Sequence, residues 1–231
     1  MDMKRDWTLP GLTVGFALIA VVGTLVLPDW LMALTVNSFS RALAVLGLMV
    51  LWRCGLVSFG HALYYGLGAY VVALLGKDWG ISEVLITLPA AALLSGLVGF
   101  GIGFIMRRYR EIFFAMLSLA FSMVMYGILV KTEALGSTDG FSIEQPSFMG
   151  WTPEDATEKL HTIFLMLCFI CWAVAALVHR YLQSTLGNLT RAIRDNEIRV
   201  EYLGISAQHA VHIKYVMSAA LAGLGGAMLA I

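Results

Sequence analysis

Apolar residues run along this chain in long unbroken stretches rather than in alternation. The runs cover 10–27, 36–52, 58–75, 83–106, 111–130, 161–180 and 212–231, with short polar intervals between them. A helix needs about 20 apolar residues to cross a bilayer core, and continuous runs favour helices over the alternating strands of a barrel. The pattern predicts an all-α membrane protein, a polytopic bundle of about seven transmembrane or membrane-embedded helices. The first run is short, the third is rich in glycine, and the fourth holds Pro89, where a kink is expected. No long low-complexity linker divides the chain, so residues 1–231 read as a single transmembrane domain. The longest polar interval, 131–160, ends in "WTPEDATEKLH". Thr152 suits an N-cap, Pro153 a first helical position and Asp155 the third, which predicts a short helix feeding the sixth run.

Composition agrees with the membrane reading. The chain is 59% hydrophobic and 13% charged, and its mean hydropathy is +0.82. Soluble domains average about 45–50% apolar and about 25% charged. The formal net charge is zero, which gives no basic field for nucleic acid. Cys54, Cys168 and Cys171 do not make a disulfide framework. Lys4 and Arg5 precede the first run as in a signal peptide, but no Ala-x-Ala site follows before Pro28, so the run reads as a retained span.

The basic residues orient the bundle. With the N-terminus inside, Lys4, Arg5, Arg53, Arg107, Arg108, Arg110, Arg180, Arg191, Arg194, Arg199 and Lys214 all fall inside. Lys77, Lys131 and Lys159 fall outside, and Arg41 lies inside the second run, near its outer end. Positive residues collect on the cytoplasmic side, so the bias predicts a cytoplasmic N-terminus, a periplasmic loop at 131–160 and a cytoplasmic segment at 183–209.

Chemistry-bearing groups are sparse. An ionisable residue within a span is a functional candidate by default. Here these are Arg41, His61 and, near the inner surface, His179, with Glu83, Glu111 and Lys214 at run ends. No Asp or Glu lies mid-run, which counts against a carrier coupled to protons or sodium. Isolated histidines do not make the clustered catalytic groups of an intramembrane enzyme. Gly76-Lys77 is followed by Asp78 and lacks the glycine and Ser/Thr of a phosphate-cradling loop. The sequence therefore predicts no catalytic residue, no metal ligand and no cofactor in this chain; ATP, if it drives the protein, is bound by a partner.

Two stretches stand out. "CGLVSFGHALYYGLGAY", 54–70, is a thin segment, and Ser58, Gly60, His61, Gly66 and Gly68 are its candidate substrate-pathway residues. Close helix packing explains the glycines better than a pathway does, and a packed, satisfied imidazole explains His61 better than a pathway role. The second is "RAIRDNEIRVEYLGIS", 191–206, charged and helix-prone between two greasy runs. Leu186, Leu189 and Ile193 recur at helical spacing, Arg191, Arg194 and Asp195 fall elsewhere on the wheel, and Gly204 ends the pattern. A continuous helix from Leu186 to Leu203 would extend roughly 26 Å. Asp195, Glu197 and Glu201 do nothing for charge-biased topology, so mixed signs favour a docking surface over a merely solvated loop. Its candidate residues are Leu189, Arg191, Ile193, Arg194, Asp195, Glu197 and Gly204. The Cys168/Cys171 pair lies in an apolar run and reads as packing rather than redox chemistry. Gly11/Gly15 and Gly99/Gly103 share a spacing that suits close helix contact.

Three stretches together resemble one family: "GLVSFGHALYYGLGAYVVALL" (55–75), "REIFFAMLSLAFSMVMYGILVKTEALGSTDGFS" (110–142) and "GNLTRAIRDNEIRVEYLGISAQHAVHIKYVMSAALAGLGGAML" (187–229). They are similar to the inner-membrane permease subunit of branched-chain amino acid ABC transporters of the high-affinity uptake type. The resemblance runs from about residue 36 onward and is most specific in the third stretch. It implies a transport subunit of the bacterial inner membrane, paired with a homologous second permease. It implies two ATP-binding subunits that carry ATP and Mg, a periplasmic substrate-binding protein, and a coupling helix within 187–206. "GSTDG", 136–140, departs from the family's "TGG" turn. The family pattern continues beyond the segment matching 218–231, so the chain reads as truncated at its C-terminus. Relatives of the family also move urea, short amides and aromatic acids, which stay open as substrates. A self-contained secondary carrier or channel is the alternative of another class, and it leaves the charged inner segment unexplained.

Overall fold

The computed structural model describes residues 8–136, 143, 145–148, 150–153 and 155–231. The basic pair Lys4 and Arg5, and most of "GSTDG", lie outside the described residues. Among those described, the chain folds into α1 (Thr8–Val26), α2 (Asp29–Trp52), α3 (His61–Trp79), α4 (Val84–Met106), α5 (Glu111–Lys131), α6 (Ala156–Gln183), α7 (Thr185–Asp195), α8 (Glu197–Tyr202) and α9 (Ala207–Leu229). The long helices correspond to the apolar runs, and the protein is an all-α polytopic membrane protein. By length and composition α1, α2, α4, α5 and α6 can each cross a membrane. α3 and α9 are richer in small and polar residues, which suits helices enclosed by others.

Helix boundaries follow caps rather than hydropathy. α2 begins at Asp29, well before the expected 36, because the Pro28 carbonyl receives the Leu31 and Met32 amides and Asp29 sits favourably in the first turn. α6 begins at Ala156 behind Asp155, not at Thr152, since Trp151 pairs back onto Phe148. The expected continuous helix from Leu186 to Leu203 is broken. Asn196 takes an extended backbone (φ −162°, ψ 100°), and its side-chain oxygen accepts from the Arg199 amide, so it ends α7 and caps α8.

α9 is the axis of the bundle. Thirteen of its 23 residues are buried, and α2, α3 and α4 pack around it, with α6 and then α1 outside α2. Lipid tails are as apolar as leucine, so association in a membrane rests on close packing of small residues rather than on water exclusion. The contacts show this directly. Gly68 of α3 lies against the backbone of Gly223, and Gly226 against the Tyr65 carbonyl. A Cβ on Gly225 would come within 2.5 Å of the Ser40 carbonyl oxygen, and one on Gly47 within 2.7 Å of the Ser218 carbonyl oxygen. Gly99 and Gly103 of α4 make room for Ala219 and His212, whereas Gly11 and Gly15 of α1 meet nothing within 4 Å, although the spacing is the same.

α5 is attached more lightly, with Phe114, Ala115 and Ser118 its buried residues. The turns at 53–60 and 107–110 lie at the same end of the bundle as α7 and α8, hereafter the charged end.

A methyl group at Gly68 would meet backbone that cannot rotate away, whereas one at Gly66 enters open space. Gly68→Ala is expected to cost about 1–3 kcal/mol through overpacking. At roughly 2–4 °C per kcal/mol for a chain of this size, its thermal midpoint in detergent should fall clearly below that of Gly66→Ala. Equal midpoints would show that the seam opens without cost.

Candidate functional site

The residues singled out at 58–68 do not form one cavity. Their polar members form a buried hydrogen-bond chain. Ser58 and His61 are 5% and 6% exposed. His61 Nδ1 lies 3.0 Å from Ser58 Oγ, and Nε2 lies 2.5 Å from Ser218 Oγ on α9. A neutral imidazole has one donor and one acceptor nitrogen, and a hydroxyl serves either, so both ring nitrogens are satisfied. Below this pair Tyr64 donates to Tyr215 at 2.9 Å. Gly60 sits against the Ser118 backbone, and the Phe59 amide donates to Ser118 Oγ at 3.0 Å, which fastens the loop to α5. Gly68 belongs to the seam with α9, and Gly66 faces open space. Ser58 also touches an apolar groove of about 460 Å³, lined by Val45, Leu48, Met49 and Trp52 of α2 and by Val57 and Phe59. Among the described residues no three His, Cys, Asp or Glu side chains come together as a metal site.

The charged segment is built differently. Ser184 caps α7 by accepting the Gly187 amide. Ile193 of α7 and Val200 of α8 are 5% and 3% exposed and join the core that holds Leu51, Met106 and Tyr215, with Leu189 packed against it. Arg191, Arg194 and Asp195 point to solvent. Ile198, Tyr202 and Leu203 are apolar and 64%, 86% and 77% exposed. Gly204 (φ +81°) closes α8: its amide donates to Glu201 and the Ile205 amide to Val200, and only glycine takes this conformation without strain.

Glu197 is not a free docking charge. Its carboxylate takes a two-pronged bond from Arg110, Nε to Oε2 at 2.9 Å and Nη2 to Oε1 at 2.6 Å. Arg110 Nη1 donates as well to the carbonyls of Arg107 and Tyr109, at 2.6 and 2.9 Å. One guanidinium therefore staples the α4–α5 turn to α8, beside Glu111, whose φ of 50° is left-handed. Lys214 Nζ is buried beside the Cys54 thiol. Burial raises that thiol above its ordinary range, against the pull of Lys214 and Arg110. The sequence did not reveal Ser218, Ser118 or Arg110 as partners, because the links span 157, 59 and 87 positions.

Arg41 stands apart from both clusters. It lies at the midpoint of the 24-residue α2, not near an outer end as the run 36–52 implied, because the helix starts seven residues earlier at Asp29; exposed Trp30 and Trp52 stand towards the two ends of the same helix face. It is exposed, and among the described residues it makes no hydrogen bond or ion pair. Facing hydrocarbon at a helix centre, an arginine costs about 2.5–3.5 kcal/mol on insertion scales.

Comparison with known proteins places these features in context. A family model described as the permease component of the branched-chain amino acid transport system matches residues 30–231. The high-affinity branched-chain amino acid transport system permease protein LivM of Escherichia coli (strain K12) is 29% identical over 213 residues, covering 80% of this chain and 49% of the relative. LivM of Salmonella typhimurium (strain LT2) matches with the same identity and coverage. The chain thus spans about half the length of the curated relatives it matches. No solved structure matches it.

The Arg110–Glu197 pair is about one-third exposed, which limits its strength. A double-mutant cycle with Arg110→Ala and Glu197→Ala, read by thermal unfolding, should give a coupling on the order of 1 kcal/mol. Arg110→Ala alone should cost more than Glu197→Ala, because it also frees two carbonyls. A coupling of zero, or the reverse order, would remove the staple from the account.

Proposed function

This chain belongs to the family of branched-chain amino acid transport system permease components, and on that premise we propose that it is the membrane-spanning subunit of an ABC importer for branched-chain amino acids. In this reading it sits in the bacterial inner membrane with its N-terminus and the charged end in the cytoplasm. A homologous second permease completes the pathway, two ATP-binding subunits hydrolyse ATP below it, and a periplasmic binding protein delivers substrate. The chain contributes transport rather than catalysis of its own.

The observation that carries the reading is the form of α7–α8 in a family member. An importer must convert closure of an ATP-binding dimer into a change of access within the membrane. A cytoplasmic element can transmit that motion if it is anchored to the spans on one side and open to a partner on the other. Ile193 and Val200 anchor this element in the core, and Glu197 ties it to the start of α5 through Arg110. Its outer surface offers Arg191 and Arg194 together with apolar Ile198 and Tyr202. An apolar centre with charged surroundings is the usual anatomy of a specific interface. Pressure on α8 then reaches α5, the lightly packed helix, through the guanidinium. Gly204 lets the chain turn back into α9.

The decisive experiment is co-purification of the ATP-binding subunits with the permease in its full-length context. Arg194→Glu and Tyr202→Ala should insert normally and recover less ATPase, since losing one partner of a buried interfacial charge pair costs roughly 2–5 kcal/mol and truncating an interface tyrosine anchor about 2 kcal/mol. Substrate-stimulated ATP hydrolysis should fall with it. Wild-type recovery and coupling in both variants would remove α7–α8 as the docking surface. Orientation is checked separately with single cysteines in a background lacking Cys54, Cys168 and Cys171. An impermeant thiol reagent added outside should label Thr157→Cys and spare Gln208→Cys; the opposite result would invert the topology.

A further inference from the structure

The exposed face of α2 carries a cation at a depth where lipid does not accept one. The centres of two helices, α2 and α4, mark that depth. Arg41 follows Ser40, whose hydroxyl donates to the Gly225 carbonyl at 2.7 Å. Two residues away on α9, Gly223 abuts Ser95, the central residue of α4 (Val84–Met106), and Gly68 of α3. Trp30 and Trp52, residues of the type that mark membrane–water interfaces, stand eleven positions on either side of Arg41 on the same helix face. At 1.5 Å per residue Arg41 is roughly 16 Å from each tryptophan, beyond the reach of a snorkelling side chain. Ser40, Leu43, Gly47 and Val50 form the buried face of α2, and Arg41 points away from it together with Ser38 and Val45. Charged residues at such depth face an aqueous cavity or a partner and mark solute pathways.

One helical turn towards the charged end, Val45 opens the apolar groove of about 460 Å³ that continues along Leu48, Met49 and Trp52 to Phe59. Arg41 does not line this groove but stands one helical turn from its Val45 end on the same face of α2. A guanidinium at that spacing from an aliphatic groove complements a particular kind of solute: a carboxylate attached to a short branched hydrocarbon. The planar fork binds a carboxylate with two parallel bonds, and the groove takes the apolar chain. We propose that Arg41 and the Val45–Trp52 groove form a solute site on the wall of the translocation path, where Arg41 holds the carboxylate of a branched aliphatic amino acid in transit. The inference rests on the importer reading and deepens it, because it assigns the face of α2 to the path rather than to lipid.

The test uses the complete transporter in vesicles, with leucine as solute. Arg41→Leu should assemble with its partners as wild type does and transport leucine about tenfold or more slowly, the loss expected for a charge-assisted hydrogen bond. Arg41→Lys, which keeps the charge and loses the fork, should fall between. Val45→Cys, with the native cysteines replaced, should react with a charged methanethiosulfonate, and leucine should slow that reaction when Arg41 is present but not in the Arg41→Leu background. Wild-type transport by Arg41→Leu would overturn the proposal. So would loss of assembly in Arg41→Leu, which would make Arg41 a subunit contact. Reaction of Val45→Cys with lipid-soluble reagents alone would make the face a lipid face. If the wild-type complex takes up no branched-chain amino acid, the importer reading fails; the labelling arm still reports whether this face is wet.

Discussion

Backbone touching backbone along α9 is the constraint on which the rest of the structure depends. In a bilayer a leucine gains little by leaving lipid for protein, so apolar side chains alone cannot say where one helix sits on another. Here position is set where side chains are missing. Gly68 on Gly223, Gly226 on Tyr65 and Gly225 on Ser40 let three helices approach closely at nearly one level. The Ser40 hydroxyl then reaches the Gly225 carbonyl, and Ser218 reaches His61. These polar links have direction and length, so they fix register as well as proximity. The depth of Arg41 and the seating of the loop at 53–60 are both consequences of that register.

Away from the seam, attachment weakens in a graded way. α1 buries Gly23 and packs chiefly on α6, with Phe16 against Phe39 of α2, while α5 buries three small or aromatic positions near its start. The charged end compensates with directional bonds. Arg110 serves two carbonyls and a carboxylate, and Ser118 holds the Phe59 amide. α5 is therefore pinned at its base by directional bonds, while above it Leu117, Phe121 and Met125 make only partly buried apolar contacts with the core.

The fold was largely legible because each membrane helix leaves a run of apolar residues whatever its neighbours are. Boundaries were less so, since Pro28 and Asn196 act through backbone amides that hydropathy does not register. Asn196 in particular reads as one more polar residue inside a helical pattern until its side chain is seen on the Arg199 amide. The two GxxxG pairs are indistinguishable as strings, yet Gly99/Gly103 face α9 and Gly11/Gly15 face outward, a difference set by where the helices sit. Glu197 looked like its charged neighbours because its partner lies 87 positions away, on another helix. Arg41 was visible as a charge within a span, but its outward aim needed the packed bundle.

α8 has six residues, far fewer than a helix needs to persist in water by itself. Its shape is borrowed: Asn196 supplies one end, the Gly204 turn the other, Val200 needs the core beneath it, and Glu197 needs Arg110. Each support belongs to a part of the chain that must already be in place. The segment therefore acquires its form late in biogenesis, after α5 and α9 have met. Any protein that recognises this surface is reading a certificate of completed assembly, and a half-built subunit carries no such surface to read.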